Sequence, residues 1–118
     1  QSDPTGFWEE AGKDIDWFSP ATSVFNADSG VYGRWFDGAT CNTCYNCVDR
    51  HVEAGHGDRQ AVIYDSPVTD TVERYSYTEL KGQVSGLAHV LRGLGVEKGD
   101  RVVIYMPMVP QAVFAMLA

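Results

Sequence analysis

The chain has 118 residues, 44% of them hydrophobic, enough for one modest folded core and too apolar for a disordered segment. Nine Lys and Arg against sixteen Asp and Glu give a formal charge of −7 with no basic cluster, which disfavours nucleic acid and anionic membrane as partners. No apolar run approaches a membrane span, and no signal-peptide pattern opens the chain.

Residues 3–15 are predicted to form a short amphipathic helix, with Asp3 as its cap and Pro4 at the first helical position. Phe7, Trp8, Ala11 and Ile15 share one face, and Glu9 and Lys13 are expected to pair four residues apart on the other. Gly6 and Gly12 weaken this helix, so it should depend on packing. Residues 16–40 have no clear period. Trp17, Phe18, Phe25, Tyr32, Trp35 and Phe36 punctuate polar and turn residues, as in an extended arm anchored by aromatics, with a short strand at 32–36. Residues 42–53 read as a second helix, capped by Asn42 and ended by Gly55.

Strands at 60–65 and 72–77, separated by the loop 66–70, read as an antiparallel hairpin. A long helix follows from a Thr78 cap to about Gly93, with Leu80, Val84, Leu87, Ala88 and Leu91 on its apolar face. Lys98-Gly99-Asp100 is a turn. Residues 101–106 form a β-branched, nearly continuous apolar run, the pattern of a strand buried on both faces of a parallel sheet. Pro110 opens a last helix that is apolar from Ala112 to Ala118, with no closing charge or Gly. Together with a first residue, Gln1, that is not Met, this ending predicts a piece cut from a longer chain.

Candidate chemistry is sparse. The three cysteines all lie between Cys41 and Cys47, an odd count that makes a poor disulfide framework and favours a reducing, cytoplasmic setting. Cys44, Cys47 and His51 fall on one side of a helix and offer soft ligands for zinc. The same spacing is the stripe of a packed helix, and three ligands on one helix rarely converge on a tetrahedral ion. The iron–sulfur run would need a fourth Cys and a Pro that do not follow. His51, His56 and His89 have no acid–base partner that the sequence places. Gly93-x-Gly95 follows a helix where a dinucleotide loop follows a strand, and it lacks the third Gly. Glu9, Glu10, Asp14 and Asp16 fit solvated faces. On the residues alone no catalytic, cofactor-binding or metal residue is nominated.

One series of motifs is specific. Phe7-Trp8, Ile15-Asp16-Trp17, Trp35-Phe36-Asp37-Gly38, Asn42 and the run Tyr45 to His51 occur in order. They are followed by Tyr75-Ser76-Tyr77-Thr78-Glu79-Leu80, Leu94 to Val102, and Tyr105-Met106-Pro107-Met108-Val109-Pro110. The series resembles the N-terminal part of AMP-forming short-chain acyl-CoA synthetases, the acetate– and propionate–CoA ligases of the adenylate-forming superfamily. The loop Tyr64 to Thr69 looks more like the propionyl branch.

The resemblance implies a mixed α/β fold: an incomplete N-terminal portion of the large domain, with a lead-in over 1–57 and the start of the AMP-binding domain over 58–118. It implies an intact enzyme that uses ATP, Mg and CoA to convert a small carboxylate to an acyl-adenylate and then a thioester. The phosphate loop, ribose-binding Asp and adenylation Lys of such chains lie later and have no counterpart in these 118 residues. The segment alone is therefore expected to be structural and inactive, with the remainder of its own chain as partner. Two readings from other classes are a stand-alone acidic binding module and a small Cys/His metal module.

Overall fold

The computed structural model describes residues 3–118, which divide into two units, one ending at Asn46 and one beginning at Cys47. In the first unit helix α1 spans Pro4–Ala11. The Asp3 carboxylate accepts the Gly6 amide at 2.9 Å, and Pro4 occupies the first turn where no amide is needed. The helix then tightens into a 3₁₀ turn over Gly12–Asp14. That tightening corrects the expected Glu9–Lys13 pair. Side chains three apart eclipse in a 3₁₀ turn, so the Lys13 ammonium binds the Glu10 carboxylate instead.

Two short strands follow, β1 at Ser23–Asn26 and β2 at Arg34–Asp37, paired antiparallel with Phe25 opposite Trp35. The sequence suggested a strand near β2 and missed β1, whose four residues have no alternating pattern. Phe36 adopts φ 50°, a left-handed conformation that is costly for an aromatic residue. It places the Phe36 ring against Gly12, where an added Cβ would meet ring carbon Cε1 at 2.6 Å. Gly12 is therefore required by the ring on top of it, beyond its effect on the helix. Trp17 completes this corner. Its ring lies 5.2 Å from Phe36, and its indole N–H donates to the Gly12 carbonyl at 2.8 Å.

The unit is closed by Asn46. Its side-chain Oδ1 accepts the Asp16 amide at 2.9 Å, while Nδ2 donates to the Asp16 carbonyl at 3.1 Å. A side-chain amide thus stands in for a strand neighbour across 30 residues of sequence. Nδ2 also donates to the Asn42 carbonyl at 3.0 Å, the same oxygen that accepts the Asn46 backbone N–H at 3.1 Å. Such competition for a ladder carbonyl disturbs α-helical spacing. The helix predicted over 42–53 accordingly runs as π turns, Tyr45–Asp49 and Val52–His56. Asn42 does cap its start, accepting the Tyr45 amide at 2.8 Å, and Gly55 at φ 80° breaks the helical path.

In the second unit β3 (Gln60–Ser66) and β4 (Thr71–Ser76) form the expected antiparallel hairpin, with a bulge between Gln60 and Val62. Helix α2 spans Tyr77–Gly93. Its cap is Ser76, two residues before the expected Thr78. Ser76 Oγ accepts the Glu79 amide at 3.2 Å, and the Glu79 carboxylate accepts the Ser76 amide at 2.8 Å. This capping box was readable as Ser-x-x-Glu. Thr78 instead donates its amide to the Gly57 carbonyl at 3.0 Å. Of the predicted apolar face, Leu80 and Val84 are buried. Helix α3, Pro110–Leu117, buries Phe114, whose ring meets Tyr75 edge-on at 5.3 Å. An ion pair of 2.8 Å links Lys81 of α2 to Asp49.

The expected buried strand at 101–106 is not formed. These residues are extended without assigned strand structure, and all six are exposed. The observed sheets are the two hairpins β1–β2 and β3–β4, both antiparallel. A run of β-branched residues becomes a strand only when a neighbour takes up its backbone groups.

Replacing Asn46 with Ala leaves the Asp16 N–H and C=O without their partner. The expected loss is about 1–3 kcal/mol in urea unfolding, and a variant with wild-type stability would remove the clasp from this account. A second expectation concerns acid. The hydrogen bond from the Ser76 amide, and then that from the Ser76 hydroxyl, hold Glu79 below the ordinary carboxylate range. A depressed folded pKa means that its stabilisation is present above the unfolded value and is lost as pH falls through the folded one. Glu79→Gln should flatten that part of the acid unfolding curve, and an unchanged curve counts against it.

Candidate functional site

Among the described residues the titratable and nucleophilic side chains do not assemble into a reaction centre. Cys41 and Cys47 are exposed free thiols and Cys44 is half-buried. Among the described residues no group of three or more His, Cys, Asp or Glu is placed to hold a metal ion. His51 lies against the Tyr77 ring at 4.8 Å, a packing contact. His89 is exposed on α2 and His56 is half-buried at the end of its π turn. The Tyr75 hydroxyl donates to the Glu73 carboxylate, and this hydrogen bond pushes the tyrosine pKa up. Tyr75 is held as a neutral donor, the opposite of what a general base needs.

What the second unit does present is apolar surface. A groove of about 440 Å³ runs beside α2 and α3, lined by Gly82, Gly86, Leu87, Val90, Met106 and Phe114 among others. Next to it the 101–108 run exposes Val103 at 86%, Tyr105 at 100% and Met108 at 91%. Large apolar side chains at such exposure in one continuous segment mark an interaction surface. The first unit carries a smaller aromatic patch. Trp8 meets Phe7 edge-on at 5.1 Å and Trp35 at 6.0 Å, and all three rings stay partly open to solvent. Of the face expected from Phe7, Trp8, Ala11 and Ile15, Ala11 is half-buried and the other three are exposed, with no residue of α1 buried.

The family model described as the acetyl-coenzyme A synthetase N-terminus matches residues 1–47, and the model described as AMP-binding enzyme matches residues 48–118. The chain belongs to the AMP-binding enzyme family. It is 52% identical over 117 residues to the rat protein named acyl-CoA synthetase short-chain family member 3, mitochondrial, covering 99% of this chain and 17% of the relative. It is 52% identical over 120 residues to the acetyl-coenzyme A synthetase of Xanthobacter autotrophicus, covering 99% of this chain and 18% of that one. Among solved structures, the acetoacetyl-CoA synthetase from Streptomyces lividans superposes with a TM-score of 0.82 at 33% identity, over 96% of this chain and 17% of the other. The chain thus spans about one-sixth of the length of the relatives it matches.

The resemblance read from the sequence is therefore to the right family, and the mixed α/β content agrees with it. Among the described residues no helix is long and apolar enough to cross a membrane.

Stoichiometric zinc should leave the thermal midpoint of the protein unchanged, and elemental analysis should find no bound equivalent of zinc or iron. A bound equivalent, released together with a fall in midpoint on chelation, would restore the metal module.

Proposed function

We propose that the polypeptide carrying this chain is an AMP-forming short-chain acyl-CoA ligase, acting on propionate or acetate. In this reading the carboxylate attacks the α-phosphorus of ATP, giving an acyl-adenylate and pyrophosphate. The CoA thiol then displaces AMP to form the thioester. The supporting observation is continuity: half of the positions are shared with acyl-CoA and acetyl-CoA synthetases across 99% of the chain. ATP, Mg and CoA are the reactants and cofactors that reading implies. The described residues offer neither a clustered donor set for Mg nor a phosphate-binding glycine loop, so no step is routed through them.

The role proposed for these 118 residues is structural, and none is assigned to catalysis, cofactor or metal. Their exposed apolar segments support docking on the remainder of the same chain. The preference for propionate rests on the resemblance of the loop Tyr64 to Thr69. That loop reaches toward the tip of the β3–β4 hairpin, where Val68 is 92% exposed. Free thiols at Cys41, Cys44 and Cys47 support a reducing compartment, and the cytoplasm is the one proposed.

The test is carboxylate-dependent exchange of pyrophosphate into ATP, followed by CoA-dependent release of AMP, with the full polypeptide and with the 118-residue chain. The full polypeptide should exchange with propionate and acetate, and the short chain with neither. A full polypeptide without carboxylate-dependent exchange refutes the ligase reading.

A further inference from the structure

We propose that Cys41 and Cys44 form a reversible disulfide switch around the Asn42 helix cap, closed by a low-molecular-weight disulfide of the glutathione type. The switch uses thiols to which the ligase reading assigns no part, and it stands whether or not that reading does.

Three cysteines fall within seven residues, and all are free thiols. Cys41 is exposed, Cys44 is half-buried, and both belong to the first unit. The backbone on either side of Cys41 is pinned. Before it, the Thr40 amide donates to the Ser19 carbonyl at 3.1 Å, and the Thr40 carbonyl accepts the Phe18 and Ser19 amides at 2.7 and 3.2 Å. After it, helical structure begins at Thr43. Cys41 and Asn42 are the slack between these points, and the Cys41 amide donates no backbone hydrogen bond among the described residues. The slack is held by the cap, in which Asn42 Oδ1 accepts the Tyr45 amide at 2.8 Å.

Cys47 is the poorer partner for Cys44. A disulfide brings Cβ atoms to about 3.8 Å, whereas positions three apart on a helix hold them about 5–6 Å apart. Asn46 enforces the helical spacing beyond Cys44, because its side chain is bonded to Asp16 and to the Asn42 carbonyl. Cys41 lies before the helix and can swing toward Cys44 with the loss of one cap. A disulfide across so short a loop constrains the unfolded chain little and carries native strain, so it is readily reduced. Such a bond suits a reducing compartment, where disulfides are transient.

The small disulfide is the oxidant. The Cys41 thiolate attacks one of its sulfurs, the S–S bond breaks, and the small thiolate that leaves takes up the proton Cys41 gave away. The Cys44 thiolate then attacks the Cys41 sulfur of the mixed disulfide and expels the second small thiol. Two protein thiols lose two electrons and two protons, and the small disulfide becomes two thiols. Closing the bond draws the Asn42 backbone with it, so Oδ1 leaves the Tyr45 amide. The frayed helix start lies next to Asn46, which clasps Asp16.

The experiment treats the native full polypeptide with oxidised glutathione and reads its thiols by alkylation and mass spectrometry. Cys41 and Cys44 should become resistant to alkylation with the loss of two hydrogens, Cys47 should remain alkylatable, and dithiothreitol should reverse the change. Cys44→Ser should stop with one glutathione on Cys41, and Cys47→Ser should close normally. In the closed form the peptide containing Tyr45 and Asn46 should exchange its amide hydrogens roughly fivefold faster, the effect of losing a cap. A bond between Cys44 and Cys47, or closure undiminished in Cys41→Ser, overturns the pairing. Thiols that stay alkylatable in the native protein and close only after unfolding in urea overturn the site. Unchanged amide exchange in the closed form overturns the switch.

Discussion

The packing of Phe114 is the contact on which the second unit depends. Helix α3 has no side-chain cap, no charge and only eight residues, too few to be stable in water by itself. It persists because Phe114 is buried and meets Tyr75 at 5.3 Å. Tyr75 is itself oriented by its bond to Glu73, and the strand that carries both leads directly into the Ser76 capping box. Hairpin, helix start and last helix are thus tied through one aromatic pair. Val48, Leu80 and Val84 are the other deeply buried apolar side chains among the described residues.

Burial of four apolar side chains is little for a chain that is 44% hydrophobic. Other apolar residues are half-buried or exposed, and Val103, Tyr105 and Met108 stand open within one continuous segment. In the first unit, cohesion comes from directional contacts: the Asn46 clasp, the Trp17 indole bond, and edge-on aromatic pairs. Such contacts specify a shape at modest apolar burial. The chain's motifs are those of elements that hold one another and offer surfaces.

Much of the architecture was legible because it rests on local physics. Asp3 and Asn42 as caps, Gly55 as a helix break, the β3–β4 hairpin and α2 follow from residue type and spacing. So does the Ser76–Glu79 box, although Thr78 drew attention from it. Less legible were β1, the π turns and the Lys13 pairing. Each depends on a contact from elsewhere or on a small change in helical pitch. Asn46 reaching Asp16 and Phe36 lying on Gly12 join residues far apart in the chain, and no periodicity reports them.

The same distinction governs the candidate site. By its motifs the sequence determined the family, and by its residue types the apolar, β-branched character of residues 101–106. Those are properties of composition and order along one segment. Tertiary structure decided which of these tendencies are realised. It sealed Phe114 and left Val103 and Tyr105 in solvent. The physical reason is that a helix satisfies its own backbone within its own sequence, whereas a strand needs a neighbour's hydrogen bonds and a second layer to cover it.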